Sequence, residues 1–151
     1  MGLVPDTDNK KTKKNAYKVL KSYRLLKRIA GSEFSPKVTA LYSFEPRSFT
    51  GTVSNAIEQH VVRQLSAQQE CAYIEKGINS VCSADHRHIL IEKYCHAEKS
   101  DIALYIDLNY TETEFYRELE KAVLYFADAY KSGELLVFKE DKTIDDILGE
   151  N

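Results

Sequence analysis

No apolar run in these 151 residues approaches the roughly 20 residues that a membrane-crossing helix needs. The first residues also lack the apolar region of a signal peptide, so neither a membrane protein nor a secreted one is expected. Cysteine is scarce. Cys71, Cys82 and Cys95 stand at irregular spacing and make no disulfide framework, which fits a reducing cytosol. No Cys-x-x-Cys or His-x-x-x-His pair exists, so Cys82, His86, His88, Cys95 and His96 lack the spacing of a zinc site. His86 and His88, two apart, would face different ways on a helix. There is no nucleotide-binding glycine loop, nucleophile elbow or paired-carboxylate motif. These gaps point away from an enzyme, and no metal, cofactor or small-molecule substrate is expected. Only three prolines and no tryptophan are present, beside ten tyrosines, and apolar residues make up 43%. That is enough for a modest core in a mostly helical protein.

What is abundant is charge, unevenly placed. Residues 1–37 hold ten Lys/Arg and three Asp/Glu, a balance of +7, whereas residues 38–151 hold eleven and twenty, a balance of −9. Such asymmetry suggests an arm that faces a polyanion. It equally suits a solvated basic helix that pairs with the acidic remainder, in the same molecule or in a second copy.

The basic region reads as a helix from Lys10 to Ala30. Val19, Tyr23, Leu26 and Ala30 form its apolar stripe, and Gly31 and Ser32 stop it. Residues 1–9, polar and containing Pro5, read as poorly ordered. Residues 33–53 have neither helical nor long strand periodicity, but Phe34, Tyr42, Phe44 and Phe49 suggest an ordered, extended segment laid across helices. Its aromatics with Arg47 could stack bases or grip a phosphate, although buried anchoring of a loop is the commoner outcome. Ser54 or Asn55 then caps a long helix to about Ser80. Its stripe is Ile57, Val61, Leu65, Ala72 and Ile78, widened by Val62, Tyr73, Ile74 and Val81. At about 1.5 Å per residue it spans nearly 40 Å, which calls for an antiparallel partner or a dimer seam. Gly77 weakens it by about 1 kcal/mol relative to alanine and marks a bend.

A shorter helix follows, capped by Asp85, with Ile89, Leu90 and Tyr94 facing inward. The stretch from Ser100 to Ala122 reads as a helix-turn-helix. Asp101 to Asp107 makes the first helix, 108–111 the turn, and Glu112 to about Lys131 the second helix, ended by Gly133. Asn109 suits the sharp turn because Asn tolerates left-handed backbone. Thr111 is the N-cap, and Glu114 completes a capping box. Leu104, Leu108, Tyr110, Phe115, Leu119 and Ala122 lock the two helices together. The outward positions are then Thr111, Glu112, Thr113, Tyr116, Arg117 and Lys121, where a reading helix presents its side chains. Four glutamates on that helix fit phosphate poorly, although glutamate can accept from cytosine and arginine can grip guanine. Affinity would come from Lys10, Lys11, Lys13, Lys14, Lys18 and Lys21 of the basic helix, with Arg47 as a further phosphate contact.

The stretch SDIALYIDLNYTETEFYRELEKAVLYFADAY resembles the helix-turn-helix of the fourth conserved region of bacterial sigma factors. Together with KVTALYSFEPRSFTGTVSN (Lys37–Asn55) and the basic KKTKKNAYKVLKSYRLLKR before it, the chain resembles the ArpU family over about residues 8–131. The resemblance implies a transcriptional regulator encoded by phages, prophages and related elements of Gram-positive bacteria. The family is thought to control late genes, including packaging and lysis functions, and its name records an earlier proposal about autolysin regulation. By position, Thr111 matches the turn Ser/Thr, Tyr116 and Arg117 the exposed part of the reading helix, and Lys121-Ala122 the basic-Ala pair after it. Two positions depart from the pattern. Asn109 replaces the usual turn glycine, and Tyr105 stands where alanine is preferred, so packing there should be looser or rotated.

The expected architecture is therefore all-α, a helical bundle with a long central helix and a C-terminal sigma-region-4-like helix-turn-helix. Its parts are a basic arm (1–32), an aromatic segment (33–53), the central helix (54–82), the DNA-binding domain (83–131) and an acidic tail (132–151) that docks or stays mobile. The expected partner is double-stranded promoter DNA in the cytoplasm of a bacterial host, with contact to RNA polymerase and homodimer formation as further possibilities. The rival is a protein-interaction or DNA-packaging adaptor that uses the same motif without promoter choice.

Overall fold

A computed structural model describes residues 4–31 and 51–139, with side chains from residue 55 onward in the second stretch. The chain is all-α there: α1 (Asn9–Gly31), α2 (Gly51–Asn79), α3 (Ala84–Leu90), α4 (Asp101–Asp107) and α5 (Glu112–Ala129). A π-helical turn, Ile91–His96, prolongs α3, and a 3-10 turn, Tyr130–Ser132, follows α5. Among the described residues no helix is long and apolar enough to cross a membrane. The aromatic segment, including Arg47 and the aromatics at 34, 42, 44 and 49, lies outside the described residues up to residue 50, as do residues 140–151.

The helices pack around one apolar cluster. Leu20 of α1, Ile74 and Ile78 of α2, Ile89 and Leu90 of α3, Leu104 of α4, and Phe115, Val123 and Phe126 of α5 are all essentially fully buried. Each such side chain contributes about 1.5–3 kcal/mol when removed from water. The buried face of α1 is Thr12, Ala16, Leu20 and Tyr23, one position round from the expected stripe. Of that stripe, Val19, Leu26 and Ala30 only border the core. The shift follows from what α1 must cover, since small Ala16 and Thr12 let neighbouring backbone come close.

α2 departs most from expectation. It begins at Gly51, so Ser54 and Asn55 lie inside it and do not cap it. Nothing from Gly51 to Val53 forbids helical backbone; the propensity penalties there are only about 1 kcal/mol or less each. Its buried line is Ala67, Cys71, Ile74 and Ile78, continued just past its end by Val81, whereas Ile57, Val61, Val62, Leu65 and Ala72 are exposed. The reason is length. Gln64 and Gln68 both donate to the Ala30 carbonyl, so α1 ends level with them and the first turns of α2 extend past it. Gly77 marks a close approach. A Cβ on it would lie 2.8 Å from the Phe126 ring, so glycine lets α5 press against α2.

The cap of α3 is Ser83, whose hydroxyl accepts from the His86 N–H; Asp85 sits in the first turn instead. Ser83 wins because only the residue with extended backbone just before the helix can turn its oxygen onto those amides. Ile89, Leu90 and Tyr94 are buried as expected. The first and last of the described residues are tied together. Asp8 N–H donates to the Val137 carbonyl, Lys139 N–H to the Asp6 carbonyl, and the buried Thr12 hydroxyl accepts from Val137 N–H at 3.0 Å. Residues 6–8, expected to be poorly ordered, are therefore held, because Val137 and Lys139 satisfy their backbone groups.

Candidate nucleic-acid interface

α4 and α5 meet as the sequence predicts. α4 is Asp101–Asp107, capped by Ser100, and Asn109 takes the left-handed backbone with φ 58°. The Thr111 hydroxyl accepts from Glu114 N–H at 3.2 Å while the Glu114 carboxylate accepts from Thr111 N–H at 3.3 Å, a complete capping box. Leu104, Phe115, Leu119 and Ala122 are buried in the common core, with Leu108 and Tyr110 packed at its edge, and α5 leans mainly on α1 and α3 rather than on α4. Tyr105 is partly buried, its ring tilted against Phe115 with centroids 5.8 Å apart, so the bulky residue is accommodated at the rim.

Of the residues expected to face outward, Thr111, Glu112, Thr113, Tyr116, Arg117 and Lys121 are all exposed. They are not equally free. Tyr116 donates to Asp101, which Lys93 also holds at 2.7 Å, so it ties α5 to the start of α4. Arg117 and Lys121 both lean on Glu118, at 3.8 and 3.3 Å, while keeping most or half of their surface in solvent.

The glutamates that seemed to oppose a phosphate partner are largely occupied. Glu114 closes the capping box. Glu118 accepts from Lys121 and contacts His86 Nε2 at 2.6 Å, and the His86 contact, first among its causes, holds its carboxyl below the usual carboxylate range. Glu120 pairs with Lys13 of α1 at 3.4 Å. Only Glu112 of the four stands exposed at the surface without such an engagement in view. Carboxylates already paired with cations repel an approaching phosphate less.

The Lys13–Glu120 pair also joins α1 to α5. Beyond it, Lys10, Lys13, Lys14, Lys18 and Lys21 line a shallow groove floored by Tyr17. Lys21 lies over the Tyr17 ring, 5.8 Å from its centroid. Burial, aided by Glu120, pushes the Tyr17 phenol up, so it stays uncharged beside the lysines. Lys11 is exposed but outside the groove, and Lys13 is committed to Glu120. Sequence reasoning missed Glu118, Glu120 and His86 as organisers of this surface. The i, i+3 spacing of Glu118 and Lys121 was visible, but the His86 and Lys13 contacts join distant parts of the chain.

Among the described residues no group of three His, Cys, Asp or Glu side chains could hold a metal. Cys82 is exposed and Cys71 buried, both free.

No family model matches the chain, and no solved structure matches it significantly. Individual proteins do. A protein of Streptococcus phage O1205, named ArpU for a proposed autolysin regulatory role, is 32% identical over 136 residues, 89% of this chain and 98% of its own. A protein with the same name from Enterococcus hirae is 26% identical over 140 residues, covering 92% of this chain and all of its own. Protein Gp66 of Listeria phage A118 is 29% identical over 127 residues, 82% of this chain and 88% of its own. With nearly full-length similarity at that level, this chain belongs to the ArpU family.

Proposed function

We propose that this protein is a phage-type transcriptional regulator that binds double-stranded promoter DNA and controls late genes such as those for packaging and lysis. In this reading α4, the 108–111 turn and α5 act as a helix-turn-helix. α5 enters the major groove by its first turns, where Thr113 and Arg117 reach base edges. Lys10, Lys14, Lys18 and Lys21 of α1 lie along the flanking phosphates and supply most of the affinity. Tyr116 positions α5 on α4 more than it reads a base, because its hydroxyl is bonded to Asp101.

The observation that carries this reading is the Lys13–Glu120 pair, which puts a five-lysine groove next to the exposed edge of a capped helix. A polyanion touching α5 there would meet α1 at the same time. The autolysin-regulatory name carried by the Streptococcus phage relative and by the Enterococcus hirae relative supports a regulatory assignment. A DNA-packaging or protein adaptor would keep the lysine contacts and lose sequence choice.

The two are separated by substitution. Arg117→Ala should cost about 1–3 kcal/mol on a specific site and little on unrelated DNA if Arg117 reads a base. Equal loss on both DNAs, or no loss, would remove it from the reading set.

A further inference from the structure

α2 is apolar on two opposite sides. Ala67, Cys71, Ile74 and Ile78 turn into the bundle. At 3.6 residues per turn, Val61, Val62, Leu65 and Ala72 lie on the side facing away from that line. They are all exposed, Val62 and Leu65 with 61% and 58% of their surface in solvent. A row of exposed apolar side chains along one helix marks an interaction surface. Charge frames this row. Glu58 stands at its beginning and Lys76 at its end, both exposed and neither in an ion pair among the described residues. They are five full turns apart, about 27 Å, and so lie on the same side of the helix.

We infer that a second copy of this chain covers the face, with α2 antiparallel to α2 about a two-fold axis level with residue 67. Charge complementarity leads to this occupant. In the antiparallel pair each Glu58 lies beside Lys76 of the partner subunit, and the contact is made twice. A parallel pair would set Glu58 against Glu58 and Lys76 against Lys76, so the charges select the antiparallel one. In the same register Val61 meets Ala72 of the partner subunit, and the two copies of Leu65 pack beside the axis. An isologous contact of this kind uses the face completely and closes at two copies. One helix pair of this length is at the small end of specific interfaces, so dissociation on the order of 10 μM is expected. The consequence for DNA rests on the DNA-binding reading above: two helix-turn-helix units related by a two-fold axis match an inverted pair of half-sites.

Sedimentation equilibrium of the full-length chain without DNA, from about 1 to about 100 μM, tests the pairing. The average mass should rise from that of one chain towards that of two. A single chain at every concentration would overturn the dimer. Leu65→Glu sets a charge beside the axis in both copies and should weaken association by about tenfold or more. Helix content should not change, because Leu65 is already exposed. A dimer indifferent to this substitution would overturn the assigned face. Glu58→Lys alone and Lys76→Glu alone each bring like charges together and should weaken the dimer, whereas the double variant should regain it. A double variant no tighter than the singles would overturn the antiparallel register. No DNA enters these measurements, so they stand or fall separately from the DNA-binding reading.

Discussion

Glu118 gathers one imidazole and two cations around its carboxylate, and what it does can be read at that one residue. His86, Arg117 and Lys121 approach it from different directions, and its folded-state carboxyl is held below the ordinary value of 4.5. A depressed acid contributes stability above its unfolded pKa and loses it as pH falls through the folded one. Glu118→Gln should therefore lower stability by about 1 kcal/mol at neutral pH, and the gap to wild type should close as pH falls below 4.5. Denaturant melts over a pH series from 7 down to 2 check this; a gap that does not narrow anywhere below 4.5 would assign the loss to packing. Gly77 offers a second residue-scale test. In an exposed helix an alanine would gain about 1 kcal/mol. Here its Cβ would lie 2.8 Å from a buried phenylalanine ring that cannot give way. Overpacking costs about 1–3 kcal/mol, so Gly77→Ala should destabilise, and a rise in melting temperature would refute the close-approach account. Local sequence could not reveal this, because it shows that glycine weakens a helix but not what presses against it.

The elements themselves were legible where local signals agree. α4 was foreseen to its ends, and α5 to within its last turn, because Asn109, Thr111 and Glu114 each mark the same boundary. α2 was misread in its first half for the opposite reason. Ile57, Val61 and Leu65 recur as a core stripe should, but α1 ends before reaching them, and periodicity carries no information about a partner's length. Ser83 was passed over for Asp85 because two residues near one boundary both have capping chemistry, and only backbone geometry distinguishes them. The division of labour within α1 was also hidden, since Lys13 is indistinguishable from Lys14 until Glu120 is placed beside it. If DNA lies along the groove, Lys14→Ala and Lys18→Ala should each lower the slope of log affinity against log salt by about 0.9. Lys13→Ala should lower it less, because its charge is already partly spent on Glu120. Isothermal or fluorescence titrations over a salt series give the slopes, and equal slopes for all three variants would count against the assigned geometry.

At the scale of the molecule, a capped helix with a mixed-charge outer face lies against a lysine-lined helix. The charge asymmetry of the sequence foretold the basic arm but left open whether it faces a polyanion or the protein's own acids. The structure gives individual acids to individual lysines, as in Lys13–Glu120, Lys27–Glu75 and Lys131–Glu70, and leaves the groove lysines Lys10, Lys14, Lys18 and Lys21 exposed. The most direct test of the proposed function is a fluorescence titration of the full-length protein with promoter-region DNA from its own genetic element against scrambled DNA of equal length, at two salt concentrations. The account predicts tighter binding to the promoter DNA at both salts, with affinity for the scrambled DNA falling steeply as salt rises. Equal binding to both sequences would contradict a promoter-reading role and leave α1 as a general polyanion contact; no binding to either would contradict the nucleic-acid interface altogether.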